Sequence, residues 1–299
     1  MGQWIVTMVG CAALFGCAPG GGGDAPDAEI AVDAGAQDAA PGAASLATWG
    51  VELTPEPFRM GDRGELENAT TYPAREVVLT RPFWIGRTEV TQAQWVALMG
   101  ELPGSAACAN TPCPTCPVRC VAPYLAERFA NALSEREGLP ACYPFARQPR
   151  RSEGFDRACL GYRLPTLAEW ACAARAGGDS HLPAPAPDGP LTAEALDPYA
   201  WHRENSERRL QPVAQLQPNA FGLYDVLGNV SELVADTDRP WPDIPDGEVD
   251  PYVYDYDGDR QVKGGDVDTP PTVMRVGNVG ATSTPHSGFR LARWLTPPE

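Results

Sequence analysis

The chain has 299 residues, of which 43% are hydrophobic and 21% charged. This composition is typical of a soluble protein with one large packed domain or two ordinary ones. The formal net charge of −16 disfavours nucleic acid or an anionic membrane surface as a partner, because both would repel the chain. Thirty-two prolines and thirty glycines favour many turns and irregular connections over long helices.

Residues 1–17 have the features of a secretory signal peptide that ends in a lipid-attachment site. The stretch is uncharged and apolar, and it is too short to span a bilayer as a helix. Leu14-Phe15-Gly16-Cys17 resembles a lipobox, in which the cysteine becomes the lipid-bearing first residue. We therefore expect lipidation at Cys17 and a protein anchored to the cell envelope, at the outer membrane or in the periplasm. The alternatives are a cleaved signal without lipid and a misassigned start, since no Lys or Arg precedes the apolar run.

Residues 18–46 differ sharply in composition from the rest of the chain. They consist mostly of Gly, Ala, Pro and Asp, without a basic residue, and so offer no apolar face to bury. This segment is predicted to be a disordered tether with a root-mean-square reach of roughly 30 Å. The globular domain is expected to occupy residues 47–299.

The first part of the domain is predicted to combine strands with one short helix. Residues 51–60, followed by Gly61, read as a short strand and turn, and residues 76–83 and 84–88 read as strands. A helix then begins after Thr91, which forms a capping-box pattern with Gln94, and it stops at Gly100.

Two further helices follow, and the rest of the chain is irregular. One begins at Pro123 and ends in residues 134–138. The other has Thr166 as its N-cap and ends before Gly177. Residues 181–198 read as a Pro/Ala-rich loop, and short apolar pieces punctuated by glycine come after it. The predicted class is α+β and rich in loops.

In an exported chain, the cysteines of the domain are expected to form disulfides. Cys142 and Cys159 flank a polar, Arg-rich segment, and a bond between them would stabilise the fold by roughly 3 kcal/mol. The cluster from Cys108 to Cys120 leaves two alternatives open, internal pairing or zinc bound through Cys113 and Cys116. The odd count leaves one thiol over, and a buried Cys172 is favoured. The domain's cysteines are Cys108, Cys113, Cys116, Cys120, Cys142, Cys159 and Cys172.

A series of short motifs occurs in a specific order along residues 51–294. The motifs are FRMG (58–61), IGRTEVTQAQW (85–95), CPV (116–118), FANALSEREGL (129–139), GYRLPTLAEW (161–170), AARAG (173–177), PNAFGLYDVLGNV (218–230), GG (264–265) and GFR (288–290). This ordered set resembles the formylglycine-generating enzyme family, also called sulfatase-modifying factor domains. The resemblance implies a C-type-lectin-like α+β fold that is rich in loops. Within it, Arg163 and Glu169 are predicted to pair, because a buried charge needs a partner.

The resemblance also implies a copper(I) ion that two cysteines hold between the GG and GFR motifs. Copper(I) prefers soft thiolate ligands. Residues 264–289 contain no cysteine in this chain, and Met274 and His286 are not a thiolate pair. We therefore assign no catalytic residues and no copper. An iron centre, as in the sulfoxide synthases of the same fold, is also disfavoured, because the chain has only three widely spaced histidines.

Structural calcium is the cofactor that the resemblance implies more strongly. The matching oxygen ligands are those of Asp225, Gly228, Val230 and Glu232, and hard oxygen donors suit calcium. The family usually has tryptophan on both sides of this glutamate, where this chain has serine and leucine. A second family site, near residues 205–206, is not carried over. Residues 236–259 are acidic and are expected to form a solvated loop, with weak calcium binding as the alternative.

The leading hypothesis is a non-catalytic, membrane-tethered module that binds or scaffolds a partner at the cell envelope. The membrane contact would be the N-terminal lipid, and the ligand is left open among a protein, a peptide and a glycan. One alternative is a formylglycine-generating oxidoreductase that acts on a sulfatase cysteine through an unrecognised site. Another is an accessory factor for a second envelope enzyme.

Overall fold

The computed structural model describes residues 49–61, 74–104, 108–144, 154–178, 192–237, 245–255, 257–276 and 287–298. All of them belong to one compact unit, Ala39–Glu299. Cys17, the signal peptide and the tether lie outside the described residues, so the predictions made for them stay predictions. The strands are β1 Gly50–Leu53, β2 Phe58–Met60, β3 Arg75–Val78, β4 Phe83–Gly86, β5 Glu232–Thr237, β6 Glu248–Val249, β7 Arg260–Lys263 and β8 Ala292–Trp294. The helices are α1 Gln92–Met99, α2 Pro123–Arg136, α3 Leu167–Arg175 and α4 Ala193–Leu196, and a 3₁₀ turn covers Pro271–Val273.

The central sheet joins the two ends of the domain. Its order is β1-β4-β8, and both pairings are antiparallel. Ile85 of β4 lies opposite Val51 on one side and Ala292 on the other. All four residues of β4 are buried, as the run Phe-Trp-Ile-Gly requires of a strand covered on both faces.

Two smaller sheets complete the strand structure. Strand β3 pairs with β2 in antiparallel and with β6 in parallel orientation. Strands β5 and β7 form an antiparallel pair in which every residue is buried, with Glu232 opposite Lys263. The acidic stretch 236–259 is therefore not a solvated loop throughout, because Asp236 lies in β5 and is only 2% exposed.

The capping predictions for two helices are confirmed. The Thr91 side chain accepts from the backbone N–H of Gln94, and the Gln94 side chain accepts from that of Thr91. The same reciprocal pair joins Thr166 and Glu169 at the start of α3. Each box satisfies two backbone donors that a helix start otherwise leaves without partners.

Three sequence predictions were wrong in detail. The single strand predicted over 76–83 ends at Val78, and Phe83 belongs to β4 instead. The single strand predicted over 51–60 is two strands, β1 and β2, because Pro55 and Pro57 remove the N–H donors that a continuous ladder needs. The loop predicted over 181–198 contains the short helix α4, which the Thr192 side chain caps.

An aromatic cluster fixes the helices on the sheet. The rings of Trp95 on α1 and Phe129 on α2 stack with centroids 5.4 Å apart. Phe289, which belongs to the GFR motif, meets both rings edge-on. Burying three aromatic side chains at one junction locks the position of the GFR motif, which continues into the candidate site.

Candidate functional site

The candidate site is centred on a buried ion pair between Glu232 and Arg290. Arg290 Nε donates to Glu232 Oε2 over 2.6 Å, and Nη2 donates to Oε1 over 2.5 Å. Trp170 Nε1 also donates to Oε2, over 2.8 Å. Both charged side chains are fully buried, so the two-point contact forms without competition from water.

Arg290 ties the pair to neighbouring segments. Its guanidinium also donates to the carbonyls of Gly86, at 3.1 Å, and Tyr224, at 3.0 Å. The neighbouring Glu232 raises the pKa of Arg290 despite burial, so the guanidinium stays charged. The last residue of the GFR motif therefore connects β4, the segment before the 225–232 turn and the first residue of β5.

The backbone of residues 225–229 turns in an irregular way beside this pair. Asp225, Gly228 and Asn229 all have positive φ, at 52°, 83° and 55°. A Cβ atom on Gly228 would lie 2.2 Å from the carbonyl oxygen of Trp201, so only glycine fits there. The Asn229 side chain accepts from and donates to the backbone of Gln211. These contacts hold a fixed turn of the kind that presents backbone carbonyls.

Two carboxyl groups at the site keep oxygens without a hydrogen-bond donor among the described residues. Asp225 Oδ2 accepts from the backbone N–H of Ala214 at 2.7 Å, whereas the buried Oδ1 has no donor. Neither carboxyl oxygen of Glu89 has one, although the residue is completely buried. Buried acceptors of this kind are costly unless a proton, water or cation satisfies them.

The electrostatics of the three carboxyl groups agree with this picture. Burial raises the pKa of Glu89 well above its usual value, and Asp225 and Glu232 raise it further. Burial also raises the pKa of Asp225, to about 6. If Glu89, Asp225 and Glu232 are all ionised, Arg290 balances only one of their three charges. Two negative charges then remain, which is the charge that one divalent cation supplies.

The structure places all four predicted calcium ligands on one segment, residues 225–232, which lies beside Arg290. Glu232 is engaged by Arg290 and Trp170, and Asp225 keeps the oxygen without a donor. In the part of the chain that the structure describes, His, Cys, Asp and Glu side chains do not gather in threes to hold a metal. A cation at this turn would therefore depend on the carbonyls of Gly228 and Val230 together with side-chain oxygens.

Sequence reasoning did not single out Glu89 as a site residue. It lies in the motif IGRTEVTQAQW, which indicates the family as a whole and gives no role to this single residue. The sequence feature that could have identified it is an acidic residue between Ile85 and Trp95, in a segment whose other residues are largely buried. Its proximity to Asp225 depends on a contact between distant parts of the chain.

The cysteines of the domain are almost all oxidised. Disulfides join Cys108 with Cys120, Cys113 with Cys116, and Cys142 with Cys159. The structure thus contains the predicted pairing of Cys142 with Cys159, and it leaves Cys113 and Cys116 bonded to each other rather than free to bind zinc. Cys172 is the remaining thiol, and it is buried on α3. Burial raises its pKa to about 12, so it is protonated at neutral pH.

The segment in which the family places copper is described in part. Met274 is buried as a core residue, 1% exposed. His286 lies outside the described residues. The sequence of residues 264–289 contains no cysteine. Because copper(I) in the family requires a thiolate pair there, the residues of this chain do not fit the copper centre.

Across the described ranges, none of the helices has both the length and the apolar character that a bilayer-spanning segment requires.

Comparison with known sequences gives one family and two curated relatives. The family described as "sulfatase-modifying factor enzyme 1-like domain" matches residues 40–295. The chaperone protein LppX of Paenibacillus barcinonensis is 30% identical over 191 residues, which are 54% of this chain and 65% of LppX. The formylglycine-generating enzyme of Thermomonospora curvata is 33% identical over 156 residues, 44% of this chain and 49% of that enzyme. The matched part therefore spans less than two thirds of either relative.

Comparison with solved structures gives similar proteins over most of the chain. Treponema denticola variable protein 1 has a TM-score of 0.66 and 30% identity, and the match covers 82% of this chain and 94% of that one. PvdO from Pseudomonas aeruginosa has a TM-score of 0.63 and 26% identity, with the same coverage. These likenesses confirm the α+β, loop-rich fold class that the sequence motifs predicted.

Proposed function

Because the chain belongs to the family of sulfatase-modifying factor enzyme 1-like domains, we propose that it keeps the family's fold without its copper-dependent oxidation of cysteine. Its domain serves as a non-catalytic binding module for another protein of the cell envelope. The observation that carries this proposal is the state of the domain's cysteines.

A copper(I) centre of the family type requires two thiolates that face each other. Six of the seven domain cysteines are used in the three disulfides. The seventh, Cys172, is buried and held as a thiol, so it supplies neither the thiolate nor the pair. The family's catalytic segment has no cysteine to replace them. The chain therefore lacks the donor set for the oxidation step.

We propose a protein as the ligand, out of the three classes that the sequence left open. LppX, a relative with 30% identity, is named a chaperone protein, which supports the recognition of polypeptide. A role in binding also explains why the fold is kept although its metal donors are not. In this reading the domain assists or holds a second envelope protein.

We propose calcium as a structural ion at the turn of residues 225–232. One carboxyl oxygen of Asp225 and both carboxyl oxygens of Glu89 have no hydrogen-bond partner among the described residues. They support this proposal, since they are buried oxygens of the type that calcium prefers as ligands. The carbonyls of Gly228 and Val230 would complete the set. When bound, the ion would supply only charge compensation and rigidity to the turn.

We also propose that Cys17 carries a lipid that anchors the protein to the envelope. The test is metabolic labelling with an alkyne-tagged fatty acid in a bacterial host. Label is expected on the wild-type chain and absent from Cys17→Ser, while Cys11→Ser keeps it. Equal labelling of the wild type and Cys17→Ser would refute the anchor.

The non-catalytic function is tested with full-length protein that is purified without a reductant. The protein is mixed with copper(I) and then incubated with a Cys-x-Pro-x-Arg peptide under oxygen. The formylglycine-generating enzyme of Thermomonospora curvata serves as the positive control. We expect no formylglycine from this chain and efficient conversion by the control. Stoichiometric copper together with peptide oxidation would overturn the proposal.

The ligand class is tested by amine-reactive cross-linking in membranes of the native producer, compared with a glycan array probed by the same protein. A discrete, reproducible protein adduct with no array signal is expected. A glycan signal without any protein adduct would contradict a polypeptide ligand.

A further inference from the structure

A disulfide joins the first and last residues of the turn Cys113-Pro114-Thr115-Cys116, which are only three positions apart in the sequence. Its Cα atoms are 5.3 Å apart, and the backbone N–H of Cys116 donates to the carbonyl of Cys113 over 3.0 Å. Pro114 is at the second position of this turn, where its fixed φ is favourable. The function proposed above uses this disulfide only to exclude a copper-binding thiolate pair in the oxidised protein.

Hydrogen bonds to two separate segments hold the turn without help from the sulfur atoms. The N–H groups of Gln92 and Ala93, at the start of α1, donate to the carbonyls of Cys116 and Pro114. The Gln92 side chain accepts from the N–H of Cys113 at 2.9 Å. The N–H of Val213 donates to the carbonyl of Thr115 at 3.0 Å. Because none of these bonds involves a sulfur atom, we expect the two cysteines to stay positioned to form their disulfide again.

The other two disulfides close much longer loops. Their cysteines are separated by 12 and 17 residues, compared with 3 for Cys113 and Cys116. In the chain-entropy model a disulfide stabilises the fold more when its loop is longer. The Cys113–Cys116 bond therefore constrains the unfolded chain least, and a purely structural role explains it poorly.

The two sulfur atoms of the turn differ in access. Cys113 is half-buried, and its neighbours Pro112, Pro114 and Thr115 are exposed. Cys116 is only 2% exposed, and its Sγ lies 3.8 Å from the carbonyl oxygen of Leu210. An incoming thiolate can thus reach one sulfur, while the other is shielded and can leave.

We propose that Cys113–Cys116 is an exchangeable disulfide that oxidises dithiols. A thiolate of the substrate attacks Cys113 Sγ, the bond to Cys116 breaks, and Cys116 leaves as a thiolate that takes up a proton. The second substrate thiolate then attacks the substrate sulfur of the mixed disulfide and releases Cys113. The substrate loses two electrons and two protons, and the turn gains both.

The first test uses the wild-type chain, so it does not depend on a variant that folds. The protein is treated with reduced dithiothreitol for increasing times, and its thiols are then alkylated and mapped by mass spectrometry. Cys113–Cys116 is expected to be reduced roughly tenfold faster than Cys142–Cys159, because Cys113 is half-buried whereas Cys142 and Cys159 are only 1% and 6% exposed. Simultaneous reduction of all three disulfides, or reduction of Cys113–Cys116 last, would overturn the proposal.

The second test traps the mixed disulfide. Cys116→Ser leaves the Cys113 thiol without its partner, and incubation with oxidised glutathione should place a stable adduct on Cys113. The matched control is Cys120→Ser, whose Cys108 has a residue exposure of only 6%. The adduct on Cys113 is expected to form at least about tenfold faster than one on Cys108, because access controls exchange. Equal rates would refute a special reactivity of the turn.

Glutathione and a cysteine pair in a polypeptide share the same chemistry, and a third experiment separates them. The oxidised wild-type chain is mixed with reduced glutathione or with a reduced peptide that contains two cysteines, at equal thiol concentration. Faster reduction by the peptide would support protein dithiols as the substrate, and faster reduction by glutathione, a monothiol, would contradict a dithiol substrate. Failure of both would contradict the proposal.

Discussion

Two buried charged regions of this domain are built differently. At the start of α3, Arg163 donates to both carboxyl oxygens of Glu169, at 2.6 and 2.7 Å, and the N–H of Thr166 adds a third bond. At the turn of residues 225–232, Glu89 and Asp225 keep buried oxygens that no described group satisfies.

The difference shows which region is complete within the protein. The Arg163–Glu169 pair has one charge of each sign and a donor for each carboxyl oxygen, so it needs no cation, and only Arg163 Nε lacks a partner among the described residues. The turn has an excess of carboxyl groups around Arg290, and it must take up protons, water or a cation. The first region is therefore structural, and the second is the place where a ligand ion has a physical reason to bind.

The largest expected effect comes from breaking the complete region. Arg163→Met leaves the Glu169 carboxylate buried without its partner and removes the guanidinium that stacks 4.0 Å from the Trp294 ring. We expect a loss of about 3–5 kcal/mol in the free energy of unfolding. Urea denaturation of purified protein measures it. A loss below about 1 kcal/mol is typical of an exposed ion pair and would contradict the burial of Arg163 and Glu169.

A pH titration sharpens the comparison, because Asp236 belongs to the complete region. Its oxygens accept from the N–H groups of Leu167 and Val253, yet burial still raises its pKa to about 6. Since the folded pKa lies above the unfolded value of about 3.9, the folded state holds the proton more tightly. The contribution of Asp236 to stability therefore falls as pH rises from about 4 to about 6.

The expected size of this change is on the order of 3 kcal/mol. It is measured as the difference in pH slope between the wild type and Asp236→Asn, with the metal chelated in both. The variant loses hydrogen bonds at every pH, so the slope rather than the absolute stability is compared. Parallel curves for the two proteins would contradict the raised pKa.

Calcium tests the incomplete region. At a calcium concentration 100 times its dissociation constant, we expect about 2.7 kcal/mol of added stability, and removal by a chelator should reverse it. Asp225→Asn should weaken this response strongly, because it removes a carboxylate at the turn. Asp236→Asn is the matched control, since Asp236 is also a buried carboxylate but lies at α3. The unfolding midpoint with and without calcium is the readout, and an equal response of both variants would contradict the assignment.

The smallest effect is expected for an exposed ion pair. Arg208 and Asp268 are 3.7 Å apart, with side chains 61% and 49% exposed. Arg208→Ala should change the free energy of unfolding by less than about 0.5 kcal/mol, because water screens the pair. The same urea experiment measures it, and a loss comparable to that of Arg163→Met would erase the distinction between buried and surface pairs.

Local signals in the sequence were sufficient for part of the structure. The capping boxes at Thr91 and Thr166 depend on residues three positions apart, so they are visible without the fold. The Arg163–Glu169 pair is confirmed and is also local. The ordered motifs were sufficient to predict the family and its fold.

Other features required contacts that the sequence does not display. Four cysteines within thirteen residues allow three sets of pairs, and spacing alone does not choose among them. The role of Glu89 depends on its approach to Asp225, more than a hundred residues away in the chain. Glu232 was assigned from a motif, but its pairing with Arg290 became visible only through the packing of β5 against the GFR motif.

The central claim is that the domain offers no pair of thiolates for copper, and a thiol map tests it most directly. Full-length protein purified without reductant is alkylated before and after unfolding, and each cysteine is then identified by mass spectrometry. Among the seven domain cysteines, we expect none to react in the folded state and Cys172 alone to react after unfolding. Two domain cysteines that react in the folded protein, and that copper(I) protects, would contradict the account.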